Sequence, residues 1–477
     1  MLRMIRLLML FLASTATEVA EPLRLGTFDV DASPPVGSPM AYDPTKEVET
    51  PLTCRGIVLV GTDQPIVLCA VDWIGIANDG HREFREALAR AAGTTPQRVA
   101  VHSLHQHDAP SCDFSADALA EQYGIRREVF DSPFARDVMR RAGAAVRKAV
   151  ESARPVTHIG LGEGTVEKVA SNRRILGSDG KVRHVRWTAT TDPAVREYPE
   201  GVVDPVMKSI SFWDNNHAMA ILTYFATHPQ SYYRTGKATP DFPGLARNHR
   251  QQATGVLHIH FNGAGGNIGA GKYNDGAREN RQLLADRMAA GMAQAWDRTR
   301  KIPVSAADVK WKSVAVALPP SPFLDKEKLL ADLQNTALPV QKRVAAACGL
   351  AWLRRCQSGD KLDISCLTLG PCRVLYMPGE LFVEYQLAAQ QMRTDLFVAM
   401  AAYGDYAPWY IGTKIAYSQG GYETGSDASL VAPTVEPVLL TAMQQLLDAT
   451  NKTAGGLGIE AAAREIEFAK KHDSAAK

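Results

Sequence analysis

The sequence predicts a mixed α/β fold (mixed α+β) in which mixed β-sheets are flanked by helices. Strand-like runs alternate with helical periodicities along most of the 477 residues, which is typical of α/β and α+β domains. A hydrophobic content of 45% is enough for a large buried core. No internal repeat and no long low-complexity linker interrupts this alternation, so one large functional domain is the expected organisation.

The spacing of apolar residues predicts each element in turn. β-Branched or alternating runs predict strands, and apolar residues three and four positions apart predict helices. The strands are expected at the start of 23–43, at 55–60 and 65–71 as a hairpin, and at 98–103, 209–226 (two strands), 255–261, 364–376 and 397–403. The helices are expected at 80–93, 128–153, 277–295, 326–336, 380–394 and 435–449. Asp275 and Thr434 are the expected N-caps of the helices that follow them.

The N-terminal segment has the layout of a secretory signal peptide. Arg3 and Arg6 precede the apolar run 7–13, and small residues follow it. That run is too short to span a bilayer, so we expect cleavage near Ala16 or Ala20 and a secreted or periplasmic protein. The predicted division is a signal peptide at 1–20, a functional domain at 21–450 and a charged C-terminal helix or tail at 451–477.

Charge and cysteine content restrict the class of partner. Lys and Arg number 53 against 51 Asp and Glu, a balance that argues against a nucleic-acid binder. No later segment reaches the roughly 18 apolar residues of a membrane span, whereas contact with a membrane surface stays open. Seven cysteines leave at least one free thiol. In an exported protein, Cys348 could pair with Cys356, or Cys366 with Cys372.

Two His-X-His segments are candidates for a metal site. His105 and His107 follow a predicted strand end, and positions i and i+2 of an extended chain face the same side. Such imidazoles can share a metal such as zinc, or one can bind metal while the other acts as acid or base. A purely structural pair is the alternative. His258 and His260 lie inside an apolar strand, where a structural role is the simpler interpretation, and they remain the alternative metal site.

Other polar groups also follow predicted strands. His228 precedes a proline that favours extended backbone, and it is either a ligand or a structural residue. The glycine-rich loop 262–269 allows close backbone approach to an anion or is a plain turn, and it lacks the ending of a P-loop. Glu380 is either a helix-start carboxylate or a metal ligand. Tyr410 and Tyr422 stand in glycine-rich segments that line a pocket or pack on the surface.

Taken in this order, these segments resemble the catalytic domain of the neutral/alkaline non-lysosomal ceramidase family. The matching segments are His105-Gln106-His107-Asp108-Ala109-Pro110, Thr227-His228-Pro229, the loop 262–270, Pro378-Gly379-Glu380, Tyr410-Ile411-Gly412-Thr413 and Gly421-Tyr422-Glu423. In addition, Ser171-Asn172-Arg173 is similar to the segment that supplies an active-site arginine in that family. The resemblance extends from about Leu25 to Leu446 and implies the mixed sheets and helices of that catalytic domain for 21–450.

The resemblance also implies a function and a set of site residues. It implies a zinc-dependent amidohydrolase that cleaves ceramide or another N-acyl substrate with metal-activated water. The positions that match the metal ligands of the family are His105, His228, Glu380 and Tyr410. The positions that match the groups facing the scissile amide are His107, Arg173 and Tyr422. His107 would act as general base and then acid, and the other two would stabilise the oxyanion.

The glycine-rich loop departs from the family pattern. Gly269 stands where the family has a serine, and Asn267 stands where it has an aspartate. The chain is also expected to lack the C-terminal β-sandwich of full-length ceramidases. Two alternatives therefore stay open: a metal-dependent esterase or hydrolase of a small polar or glycan-derived substrate, and a catalytically inactive binding homologue. The expected partner is a small molecule or a lipid.

Overall fold

Three large β-sheets form the framework of the protein. The computed structural model describes residues 22–450 and 457–475, and the predicted signal peptide lies outside the described residues. The large sheets have five, five and four strands, and five smaller sheets have two strands each. Helices cover the outer faces of the large sheets, and this arrangement confirms the predicted fold class.

The bounds of the elements are as follows. The first twelve strands are β1 Arg24–Asp31, β2 Glu47–Val48, β3 Thr53–Val60, β4 Ile66–Val71, β5 Gly75–Ala77, β6 Val99–Ser103, β7 Ser111–Asp113, β8 Arg154–Pro155, β9 His158–Thr165, β10 Ser171–Asn172, β11 Arg174–Leu176 and β12 Val182–Val185. The next twelve are β13 Val206–Asp214, β14 His217–Phe225, β15 Lys237–Ala238, β16 Leu257–Asn262, β17 Ile268–Gly269, β18 Arg300–Pro303, β19 Val309–Val316, β20 Leu362–Leu369, β21 Cys372–Tyr376, β22 Glu380–Leu381, β23 Phe397–Ala401 and β24 Tyr410–Ile411. The helices are α1 Asn78–Ala92, α2 Phe114–Gln122, α3 Ser132–Glu151, α4 Pro193–Glu197, α5 Asp241–Thr254, α6 Glu279–Asp297, α7 Lys326–Gln334, α8 Val340–Gln357, α9 Val383–Met392, α10 Lys414–Gln419, α11 Val435–Leu447 and α12 Ile459–Ala475.

Sheet 1 has the strand order β6-β4-β3-β1-β8. The predicted hairpin lies at its centre, where β3 and β4 pair antiparallel with Ile57 opposite Leu68. Strand β6 joins the edge of the sheet parallel to β4. Helix α3 lies very close to β1, since a Cβ atom placed on Gly26 would be only 2.0 Å from the carbonyl oxygen of Ala149. A glycine is therefore required for this contact.

Sheets 2 and 3 repeat this plan. Sheet 2 has the order β16-β14-β13-β9-β18, and sheet 3 has the order β19-β20-β21-β23. Each contains antiparallel neighbours and one parallel pair, β14 with β16 in sheet 2 and β21 with β23 in sheet 3. Helix α6 packs on sheet 2, and a Cβ on Gly162 would be 1.9 Å from the carbonyl oxygen of Ala295. All three large sheets therefore end in a parallel pair at one edge.

The inner faces of the three sheets share one central core. Ile57 and Leu68 of sheet 1, Phe212 of sheet 2, and Val374 and Tyr376 of sheet 3 are all buried in the same apolar cluster. The outer face of sheet 1 packs against α1 and α3, that of sheet 2 against α5 and α6, and that of sheet 3 against α9 and α11. Apolar residues on both faces explain why the strands appear as nearly continuous hydrophobic runs in the sequence.

Several predicted details are wrong. Helix α3 begins at Ser132 because the carboxylate of Asp131 accepts a hydrogen bond from the backbone N–H of Phe134. Thr434 is the N-cap residue of α11, as predicted, but its side chain makes no capping hydrogen bond. Asp275 lies before the first residue of α6, and its carboxylate instead accepts the backbone N–H of Ala277. Helix α9 begins at Val383, because residues 380 and 381 pair with another strand.

All seven cysteines are free thiols. Cys348 and Cys356 are about 12 Å apart along the axis of α8, too far for a disulfide. Cys372 is buried in the central core, whereas Cys366 is buried in the core on the helix-covered side of sheet 3. Neither pairing left open by the sequence forms. Among the described residues, no helix is both long and apolar enough to cross a membrane.

Candidate metal and active site

The candidate site residues follow the carboxyl ends of the parallel strands. His105 and His107 follow β6, His228 follows β14, and Glu380 follows β21. The glycine-rich loop follows β16, and a tyrosine-rich segment follows β23. In each of the three large sheets, site residues thus follow strands of the parallel pair, so residues that are far apart in the sequence lie close together in space.

His105 is held in one orientation by its backbone and by its ring. Its φ angle is 72°, in the left-handed region that is rare for a residue with a side chain. Its Nδ1 lies 2.5 Å from the carbonyl oxygen of Ile74, so Nδ1 carries the proton and donates it. The ring of Tyr403 stacks on the His105 ring at 4.5 Å between centroids. These contacts direct Nε2 of His105 towards Glu380.

Glu380 is buried and faces two histidines. Its Oε2 lies 3.3 Å from Nε2 of His105 and 3.7 Å from Nδ1 of His228. None of these three atoms has a hydrogen-bond partner. Its other oxygen, Oε1, accepts a hydrogen bond of 2.6 Å from the hydroxyl of Tyr406. Glu380 pairs in register with Tyr410 between β22 and β24, so it does not lie at the start of a helix.

The third imidazole belongs to His107. Its Nε2 lies 2.9 Å from Nε2 of His228, and its Nδ1 is buried without a partner. His105, His107 and His228 form the one group of metal-binding side chains found among the described residues. Burial holds the pKa of His107 and of His228 well below the usual range, and the neighbouring His105 and the guanidinium of Arg173 add to both shifts. Both rings are therefore neutral and offer lone pairs near neutral pH.

Arg173 connects two acidic or phenolic groups at the site. Its Nη1 donates a hydrogen bond of 3.0 Å to the hydroxyl of Tyr410, and its Nε lies 3.3 Å from the carboxylate of Glu423. Arg173 and Glu423 are both buried. Burial raises the pKa of Tyr410 well above its usual value, and the carboxylate of Glu380 adds to this shift. Tyr422 is partly exposed, with its ring 5.8 Å from that of Tyr410.

Asn267 and Gly269 of the glycine-rich loop contact α9 and Arg173. The side chain of Asn267 donates to Glu384 at 2.9 Å and accepts the backbone N–H of Val383 at 2.9 Å, which anchors the first turn of α9. Both polar atoms of this side chain are thus occupied away from the histidines. Gly269 lies beside Arg173, and a Cβ on it would be 3.5 Å from Cγ of Arg173.

The second histidine pair has a different environment. His258 and His260 are buried on β16, and one ring nitrogen of each shares a hydrogen bond with a threonine hydroxyl. Burial and nearby arginines lower the pKa of each to about 3, with Arg247 contributing to both. Since positive guanidinium groups repel a metal cation, this pair is a poor candidate for a metal site.

A cavity of about 300 Å³ opens beside the first site. Its polar lining includes His105, His107, Glu380, Tyr410 and Tyr422. Its apolar lining includes Ile74, Val129, Phe130, Val344 and Ala345. Sequence patterns did not identify Tyr406 or Glu423 as site residues, although Glu423 directly follows the predicted Tyr422. The site therefore combines convergent ionisable groups with a partly apolar cavity, as ligand sites commonly do.

Comparison with known proteins identifies the fold. No family model and no curated protein matches the sequence. Among solved structures, the neutral ceramidase from Pseudomonas aeruginosa has a TM-score of 0.64 at 17% identity, covering 91% of this chain and 76% of that one. A structure described as ceramidase complexed with C2 has a TM-score of 0.63 at 17% identity, covering 90% of this chain and 75% of the other. The chain therefore has a ceramidase-like fold.

Proposed function

We propose that the protein is an exported, zinc-dependent hydrolase that cleaves the amide bond of an N-acyl substrate. The close approach of Nε2 of His105 to Oε2 of Glu380, at 3.3 Å, carries the proposal. Because Nδ1 of His105 donates to a carbonyl, Nε2 of the neutral ring is an acceptor. Two buried acceptors this close repel each other unless a proton or a metal ion lies between them, and a single proton would leave Nδ1 of His228, 3.7 Å from the same oxygen, without a partner. A metal ion would satisfy both.

The surrounding donors fit such an ion. In the proposal, His105, His228, Glu380 and Tyr410 hold it through two nitrogen and two oxygen atoms, a donor set that suits zinc. The hydrogen bonds from Nδ1 of His105 to a carbonyl and from Tyr406 to Glu380 are the kind of outer contact that orients metal ligands. The same four residues match the ligand positions of the family that the sequence resembles.

The remaining side chains have separate roles. When bound, the metal would supply an activated water molecule and a Lewis acid for the carbonyl. His107, neutral and with no partner at Nδ1, would accept a proton and return it to the leaving amine. Arg173 and Tyr422 would stabilise negative charge on the carbonyl oxygen. Glu423 fixes the guanidinium of Arg173, while Asn267 and Gly269 shape the loop beside it.

Two features support an N-acyl amide as the substrate. Both structural relatives are ceramidases by name, and ceramide contains an amide between a fatty acid and an amine. The cavity is lined in part by Phe130, Val344 and other apolar side chains that suit an acyl chain. Either a lipid or a smaller N-acyl compound fits this description. Export rests on the predicted signal peptide at 1–20.

A metal-dependent esterase is the second candidate. Gly269 provides no side chain at the position where the resembled family has a serine, and an ester, with its better leaving group, needs less assistance than an amide. A catalytically inactive binding homologue is the third, although the four ligand positions are all present in the sequence.

A substrate panel with metal removal and replacement tests the proposal. The purified protein would be treated with a chelator, reloaded with Zn²⁺, and assayed on ceramide, N-acyl amino acids and matched esters. We expect amide hydrolysis that disappears with the metal and returns with Zn²⁺. Turnover of esters alone would establish the second candidate instead. An absence of both stoichiometric metal and turnover would establish the third.

A further inference from the structure

Exposed aromatic side chains are concentrated around the candidate site. Five aromatic side chains stand out as exposed in the described part of the chain, and four of them are near this site: Tyr42, Trp187, Tyr233 and Tyr422. The fifth, Phe323, precedes α7. The exposed fractions of the four side chains near the site lie between 37% and 48%. Exposed aromatic clusters are rare without a binding role, so we treat these four as one feature, the aromatic entrance.

The aromatic entrance consists of two pairs. Tyr42 and Tyr233 contact each other at 4.8 Å between ring centroids, and both contact the ring of His107. Trp187 and Tyr422 contact each other at 5.2 Å, and the guanidinium of Arg173 lies within 6 Å of both. The two pairs are close enough to interact electrostatically, since Tyr422 acts on the hydroxyl of Tyr42 and Tyr233 acts on that of Tyr422. Aromatic rings therefore flank the approach to the site on two sides.

The backbone beneath each pair is rigid. Next to Tyr233, Arg234 donates its backbone N–H to the buried carboxylate of Asp108 at 2.9 Å, and its guanidinium lies 5.3 Å from the Tyr42 ring. Next to Trp187, the fully buried Arg186 donates hydrogen bonds to three backbone carbonyls of the segment 195–199. Rings held on a fixed backbone lose little conformational entropy when a ligand binds, so they are well suited to recognition.

We propose that the aromatic entrance binds a six-membered ring on the group attached to the scissile bond. This inference rests on the proposed hydrolase function and adds the substrate class. A linear aliphatic group would pack equally well on leucine or isoleucine, but the entrance offers flat aromatic faces, phenolic hydroxyls and guanidinium groups. An aryl ring stacks on an aromatic face through its π system and a pyranose ring through the C–H groups of one face, and the polar groups can bind substituents on the edge of either ring. A sugar ring and an aryl ring share this chemistry.

Three synthetic amides separate these sources and test the inference. They are N-lauroyl glucosamine, N-lauroyl-2-phenylethylamine and N-lauroyl hexylamine, with the same acyl chain and a sugar, an aryl and a linear amine. We expect a kcat/KM for at least one ring amide that exceeds that of the linear amide by about tenfold or more. The ring amide that is preferred identifies the source. Equal turnover of all three, or preference for the linear amide, would overturn the inference.

Variants test whether the entrance carries this preference. We expect Trp187→Ala and Tyr233→Ala each to lower the ratio of kcat/KM for the preferred ring amide to that for the linear amide by about tenfold, mainly through KM of the ring amide. Trp187→Phe should restore most of the loss, because it keeps an aromatic face. Phe323→Ala, at an exposed aromatic position away from the entrance, is the matched control and should leave all three amides unchanged. Equal losses on ring and linear amides would indicate a structural role and contradict the inference.

A binding measurement distinguishes failure of the inference from failure of the proposed function. Glucosamine, 2-phenylethylamine and hexylamine would be titrated into the metal-free protein, with binding followed by tryptophan fluorescence and by calorimetry. Binding of a ring amine that Trp187→Ala weakens, without hydrolysis of any amide by zinc-loaded protein, would support the entrance and reject the hydrolase. Amide hydrolysis without any preference for ring amines would support the hydrolase and reject the entrance.

Discussion

The two His-X-His segments have the same spacing but differ in the carboxylate beside them. In both pairs, ring nitrogens are buried without hydrogen-bond partners. Nε2 of His105 faces the carboxylate of Glu380 at 3.3 Å. His260, by contrast, lies in the field of Arg247, which lowers its pKa. Arginines lie near both pairs, but the carboxylate of Asp72 is engaged by Arg247 whereas Oε2 of Glu380 has no partner. An available carboxylate, and not the motif, therefore distinguishes the candidate metal site from the structural pair.

The two regions are also physically connected. Gln106, between the histidines of the first pair, donates its side-chain N–H to the backbone carbonyl of Asp72 at 2.5 Å. The carboxylate of Asp72 forms a bidentate ion pair with Arg247, at 2.6 and 3.0 Å, beside the second pair. Arg247 and Asp72 are fully buried. The second region thus supports the first through the side chain of Gln106, and the two should respond differently to mutation.

The largest difference is expected in metal content. His105→Ala should abolish stoichiometric metal binding and reduce hydrolysis by more than the roughly 100-fold that loss of a supporting group costs. His260→Ala should retain metal and activity per folded molecule, because no carboxylate completes a site there. Elemental analysis of both purified variants, with circular dichroism as a folding control, makes the measurement. Loss of metal from His260→Ala alone would reverse the assignment of the two pairs.

Stability should show the opposite pattern. Arg247→Met leaves the carboxylate of Asp72 buried and uncompensated, so we expect the free energy of unfolding to fall by about 3–5 kcal/mol. The double variant Arg247→Met with Asp72→Asn should recover part of this loss, since no uncompensated charge remains. Urea denaturation of the metal-free proteins measures both. A loss below about 1 kcal/mol for the single variant would show that the ion pair is not the support inferred here.

Local sequence patterns predicted the strands that carry the first histidine pair, but not the long-range contacts of Arg247 and Asp72 beside the second pair. The strand preceding His105, the hairpin of β3 and β4, and the strand-end position of His228 follow from periodicity, which depends on neighbouring residues. Arg247 lies on α5 and Asp72 follows β4, so their contact with each other and with His260 depends on how sheets 1 and 2 pack. The carboxyl group of Glu380 reaches the histidines because β22 pairs with β24, and a local pattern favoured a helix start there instead.

The resemblance to a known family supplied the long-range part of the site. It grouped His105, His228, Glu380 and Tyr410 as ligands. In the structure Glu380 faces both histidines and the ring of Tyr410 stacks on that of His228 at 6.3 Å, while the role of the four as ligands stays a prediction. For the glycine-rich loop the resemblance gave no structural role, and in the structure the side chain of Asn267 supports α9. The sequence indicated Tyr422 but not Tyr406 or the other three residues of the aromatic entrance, because single aromatic residues in loops carry no periodic signal.

The hydroxyl of Tyr406 orients the carboxylate of Glu380 beside the first histidine pair. Tyr406→Phe removes its hydrogen bond to Glu380, so we expect metal affinity to fall about 10- to 100-fold while the protein stays folded. Tyr273→Phe is the matched control, because Tyr273 donates to the carboxylate of Glu200 outside the site. Competition with a chromophoric chelator gives both affinities. Equal affinities for the two variants would show that Glu380 does not depend on Tyr406 for its orientation.

The pH dependence of the free energy of unfolding should reveal the lowered pKa of His260 in the second pair. Burial and Arg247 lower the pKa of His260 to about 3 in the folded protein, whereas the unfolded chain has a value near 6.5. Between these values the unfolded state binds the extra proton, so this residue costs stability as the pH falls below about 6.5, by about 2 kcal/mol at pH 5. His260→Gln should therefore lose about 2 kcal/mol less than the wild type between pH 8 and pH 5, in urea denaturation of metal-free protein. His217→Gln, at an exposed position of β14, is the matched control. If His260→Gln keeps the full wild-type decrease, the arginine-bordered pair does not contribute to acid sensitivity, and the electrostatic contrast between the two histidine pairs would lose its thermodynamic support.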